Sequence, residues 1–100
     1  MRQGTTPTHI FTLPINMSTI REIKVTYTQR NRIVLEKRTD NLLIGENDIR
    51  VKLSQNETFL FDAAAPVQIQ VRVLTNGGDA LASDIMMVSA QKCLDAEVLE

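Results

Sequence analysis

The residues with chemically reactive side chains are few in this chain and stand apart. His9 is the only histidine and Cys93 the only cysteine. A metal site needs several ligands at short spacing or brought together by the fold, and no second histidine or carboxylate stands at ligand spacing from His9. His9 therefore reads as a surface or edge-strand residue. Cys93 lies beside Leu94 with no histidine nearby, so it reads as a buried or merely unpaired thiol and not as a nucleophile. Glu46 and Asp48 fall in a turn cluster, where carboxylates cap and solvate, and glycosidic acid–base work would also need a walled cleft. Gly77-Gly78 makes a hairpin turn; no helix follows it to hold a phosphate. The chain is expected to be non-enzymatic, with no catalytic residue, metal or cofactor.

Binding is the remaining kind of work. Between Arg21 and Arg38 six basic residues stand against two acidic ones, and from Asp79 onward five acidic residues stand against Lys92 alone. The formal net charge is only −1, so any electrostatic recognition is local. The candidate partner-binding residues are Arg30 and Arg32 at a cationic turn, Gln68, Gln70 and Arg72 on one face of a strand, and Met86 in an apolar arm. Methionine adapts to irregular partners. The four aromatics, Phe11, Tyr27, Phe59 and Phe61, stand where a core needs large side chains, so base stacking is not expected and nucleic acid is not the partner. The expected partner is protein, either a second copy or another structural protein. A membrane partner is not expected, because no run of about 18 apolar residues occurs; a small molecule is not expected either. With one cysteine and no apolar leader in the first residues, a reducing, cytoplasmic setting is expected.

These side chains must be held by strands. In Pro66–Thr75, Val67, Ile69, Val71 and Val73 alternate with Gln68, Gln70 and Arg72, the period of a half-buried strand. Asn76-Gly77-Gly78-Asp79 then turns the chain into a second arm, Ala80–Ser89, whose two faces are both partly apolar and which is expected to be covered on both sides. Ile20–Gln29 is a second clear strand, with Ile23, Val25 and Tyr27 on one face. Arg30-Asn31 turns it into Ile33–Arg38. Shorter strands are expected at His9–Leu13, Leu42–Ile44 and Ile49–Leu53. Ser54 with Glu57 spells a capping box for one helical turn at most, a crossover anchored by Phe59 or Phe61. Ala90, Leu94 and Val98 recur at helical spacing and predict a short C-terminal helix.

Seven short strands at turn-marked intervals predict an all-β fold, a two-sheet antiparallel immunoglobulin-like sandwich. The expected organisation is a flexible arm over residues 1–7, the sandwich over 8–90 and a tail over 91–100. The extended N-terminal strand, the basic hairpin, Val-Lys-Leu-Ser-Gln-Asn-Glu-Thr at 51–58 and Val-Gln-Ile-Gln-Val-Arg-Val-Leu-Thr-Asn-Gly-Gly at 67–78 together resemble the immunoglobulin-like domains of phage tail and baseplate proteins and of related prophage genes. The sequence departs from that pattern at Ala63-Ala64-Ala65, where such domains often carry a glycine. The resemblance implies a structural or assembly module, a virion component acting through oligomeric contact or as an adaptor, with no catalytic residues to carry over. The alternative is a stand-alone intracellular binding module that holds a peptide or carbohydrate on the sandwich loops.

Overall fold

The computed structural model describes residues 1–100. Two strands form its spine: β2 (Ile20–Gln29) and β6 (Val67–Thr75), paired antiparallel so that Ile23 faces Val73, Val25 faces Val71 and Tyr27 faces Ile69. All six side chains are buried. Each such burial contributes about 1.5–3 kcal/mol, and the alternation leaves the intervening polar residues on the opposite face. β3 (Arg32–Arg38) joins β2 through the Arg30-Asn31 turn. Both turn residues have positive φ, 52° and 62°, the left-handed pair that matches the twist of a two-residue hairpin.

On the other side of β6 lie β7 (Ala80–Ala82) and β8 (Met86–Val88), giving the order β3-β2-β6-β7, with β8 continuing along β6. The single arm expected over Ala80–Ser89 is thus two strands. Arg72 faces Ala82, but Ile69 faces Met86, so the arm carries one residue more than β6 between these pairs. Ser83 makes the break: its hydroxyl accepts the Val71 N–H at 3.0 Å, while its own N–H donates to the Val71 carbonyl at 2.8 Å. This is the two-against-one geometry of a bulge.

The second sheet has the order β1-β5-β4, from β1 (Thr8–Thr12), β4 (Leu43–Ile44) and β5 (Asp48–Lys52). It lays Phe11, Ile49, Val51 and the following Leu53 onto the inner face of the first sheet, and Phe61 completes the core. The protein is an all-β, two-sheet antiparallel sandwich of eight strands.

The crossover between the sheets carries the one helical turn, α1 (Gln55–Thr58). Ser54 Oγ accepts the Glu57 N–H at 3.1 Å, and Glu57 Oε1 accepts the Ser54 N–H at 2.9 Å, the reciprocal bonds of the capping box. Phe61, not Phe59, is the fully buried anchor.

The termini differ from expectation. Within residues 1–7, expected as a flexible arm, Met1–Gln3 are bound to the chain's other end. The Met1 ammonium donates to the Ser89 carbonyl at 2.8 Å, Gln3 N–H donates to the Gln91 carbonyl at 3.0 Å, and Gln91 N–H donates back to the Met1 carbonyl at 2.8 Å. Gly4 N–H reaches Thr58 Oγ1 at 2.9 Å. The C-terminal helix is not formed. Leu94 is fully exposed and Val98 only half-buried, so the apolar stripe has no surface to dock on, and a short helix without packing does not hold.

Candidate functional site

Cross-strand pairing assembles a surface on the outer face of the larger sheet. Ile33, Thr28, Gln68 and Met87 form one row across β3, β2, β6 and β8. Glu36, Thr26 and Gln70 form the next, and Arg38, Lys24, Arg72 and Ala82 the third. Two shallow depressions of about 290 and 270 Å³ lie along these rows, the first edged by Ile33 and Ile85, the second by Arg38, Arg72 and Ala80.

The structure brings together three of the six candidate residues. Gln68, Gln70 and Arg72 share this face, with Gln70 tied down by donating from Nε2 to the Ser83 carbonyl at 2.9 Å. Met86 does not join them. It faces Ile69 and turns half-buried toward the core, while Met87 takes the outer position opposite Gln68. The reason is the bulge. Had the register at Ala82 continued, Met86 would have stood opposite Gln68, but a one-residue insertion turns every later side chain to the other face. Arg30 and Arg32 sit at the β2–β3 turn beyond the first row. Arg30 is bound to Asp62 at 2.7 Å, whereas Arg32 is exposed and has no ion pair. The second arm is not covered on both sides: Leu81, Ile85 and Met87 are 47%, 58% and 62% exposed.

The charge asymmetry of the sequence survives folding in part. Lys24 pairs with Glu36 at 3.4 Å and Arg38 with Glu22 at 3.5 Å. No carboxylate lies within ion-pair distance of Arg32 or Arg72, and no cation within that distance of Asp79 or Asp84. Arg32 at the hairpin edge is thus a free cation and Asp79 and Asp84 at the opposite edge are free carboxylates, while Arg72 stands on β6 beside that second edge.

His9 lies on an edge strand, as its sequence position suggests, but it is half-buried, and Nδ1 stands 2.7 Å from the Tyr27 hydroxyl. Burial, and secondarily the N-terminal ammonium, hold its pKa below the ordinary 6.5. Burial and the Glu57 charge push the Tyr27 phenol far up. Burial pushes the Glu57 carboxyl up as well, but the Lys37 ammonium at 2.6 Å and the cap bonds of Ser54 outweigh it and leave its pKa below 4.5. Tyr27 is fully buried, so this network ties the sheets together beneath the surface. The side chain of Gln29 plays a similar part, donating to the Asp62 and Ala65 carbonyls and accepting the Asp62 N–H. Its burial could not be foreseen from an alternation that merely ends there. No three His, Cys, Asp or Glu side chains converge at metal-binding distance, and no helix is long and apolar enough to cross a membrane.

One further concavity was not foreseen. Where β1 ends, Leu13, Pro14 and Ile15 stand apart from Leu81 and Ala82, and a cleft of about 480 Å³ opens between the sheets above Val71 and Val73. Its signal in the sequence is Pro14, which stops β1 from running on to close the gap. No protein-family model, curated protein or solved structure matches this chain.

Proposed function

We propose that this chain is a non-enzymatic structural or assembly module that works through protein–protein contacts, of the kind that the resemblance to phage and prophage tail and baseplate domains implies. The observation that carries this reading is the outer face of the larger sheet: a continuous, mostly polar surface whose two lateral edges are unpaired and bear uncompensated charge of opposite sign. Such a surface offers complementary contacts to protein. Its shallow depressions give little enclosure to a small molecule. The test is solution mass by light scattering coupled to size exclusion, over a wide concentration range in low and high salt. Mass that rises with concentration and falls with added salt is the expected result, because contacts between exposed charges are screened. A strict monomer at every concentration would remove self-assembly.

The second reading, a stand-alone module that binds a peptide or carbohydrate, is favoured by the cleft beside Leu13–Ile15. Its apolar floor and the polar groups of Thr12, Ser83 and Asp84 at its rim have the make-up of a ligand pocket. Under that reading the chain is monomeric, and ligand binding shifts the amide resonances of Val71, Val73 and Leu81.

A further inference from the structure

Both lateral edges of the five-stranded sheet are open, and they are unlike. β3 carries Arg32, Lys37 and Arg38, the cationic side chains with which edge strands discourage unwanted pairing. The β7–β8 edge has no lysine, arginine or proline from Asn76 to Gln91, and it exposes Leu81, Ile85 and Met87. Only the bulge at Ser83–Ile85 interrupts it. An apolar edge with unpaired backbone groups is a template for another strand.

We infer that the β7–β8 edge of one copy pairs with the β3 edge of a second copy, so that the sheets join head to tail. This rests on the assembly reading above and names its partner and its contact. Three observations select this occupant. Neighbouring strands in the order β3-β2-β6-β7 are all antiparallel, so a second sheet set beside the first in the same orientation brings its β7–β8 edge antiparallel to β3. That direction places the start of β3, with exposed Ile33, beside the end of the neighbour's arm, with exposed Ile85 and Met87. The row that begins at Ile33 and ends at Met87 then runs on into the next molecule.

In that register Arg32 comes level with the neighbour's Val88 and Arg38 with its Ala82, so neither arginine meets a cation across the contact. A two-fold pairing of β3 with itself about its centre would instead oppose Arg32 and Arg38, like charges across the contact. Because the two edges differ, the interface is heterologous, and association continues beyond the dimer into a ring or a filament.

The test uses two variants of exposed residues, Ile33→Lys on the β3 edge and Met87→Lys on the β8 edge. Each sets an unpaired ammonium against apolar side chains in the contact and weakens it by more than about tenfold. Amide-resonance dispersion confirms that both variants fold. The unmodified chain should show mass growing with concentration, and each variant alone should remain monomeric. An equimolar mixture should stop at twice the monomer mass, because only the intact β3 edge of Met87→Lys and the intact β8 edge of Ile33→Lys can join. A variant that still associates alone, or a mixture that stays monomeric, overturns the head-to-tail contact. If the unmodified chain associates and neither variant alters it, the edges are not the contact while the assembly reading stands. An unmodified chain that never associates overturns the head-to-tail contact and removes self-assembly, leaving contact with a different protein as the assembly reading.

Discussion

At the residue scale, the chemistry of this protein is that of buried polar groups that find partners. His9, Tyr27, Gln29 and Thr58 each sit within the sandwich and each has a hydrogen-bond partner, as burial of polar groups demands. His9 gives this a pH signature. Its folded-state pKa lies below the unfolded value of 6.5, so the unfolded chain binds the proton more readily. Its stabilising contribution is complete above the unfolded pKa and is lost as pH falls toward the folded one. The Glu57 and Asp62 carboxyls are also held low, by Lys37 and the Ser54 cap and by the Ala64 N–H and Arg30 respectively. Their contributions persist until pH falls below the ordinary carboxylate values of 4.5 and 3.8. The urea midpoint should therefore drop between about pH 7 and pH 5, and His9→Gln should flatten that drop whatever it does to the midpoint itself. An unchanged slope in the variant would show that His9 is not the titrating group.

At the scale of elements, β2 and β6 are readable in the sequence because each buries one face only, so period-2 alternation runs unbroken over Ile23–Gln29 and Val67–Val73. The Arg30-Asn31 turn and the Ser54–Glu57 capping box are readable because each is set by local chemistry. Ser54→Ala tests the latter. It removes the acceptor of the Glu57 N–H and loosens the carboxylate that meets Lys37, and it should lower stability by about 1 kcal/mol, measured by urea titration. No change would mean that the turn is held by Phe61 alone. What the sequence hides are features decided by partners distant along the chain. The break between β7 and β8 depends on a serine hydroxyl taking a backbone donor of β6, and nothing in Ser83-Asp84-Ile85 distinguishes it from a continuous strand. The consequence reaches the candidate site, where Met87 and not Met86 stands on the outer face. The ladder between Met1–Gln3 and Ser89–Gln91 is made by backbone atoms and leaves no trace in side-chain pattern. The tail's helical spacing misled for the converse reason: periodicity without a docking surface does not make a helix.

At the scale of the molecule, the sandwich is flat and open at its margins, 47 × 30 × 17 Å. Its smaller sheet has three strands, one of them two residues long, over a sheet of five. The larger sheet is left with two free edges and an uncovered outer face, and these edges carry the proposed assembly. The most direct measurement is amide hydrogen exchange, residue by residue, at low and high protein concentration. Strand addition would give new hydrogen bonds to alternate amides of β3 and of β7–β8. Their exchange should slow as concentration rises, while β1, the free edge of the smaller sheet, should be unaffected. Exchange along β3 and β7–β8 that is the same at every concentration, or slowing confined to β1, would contradict the account.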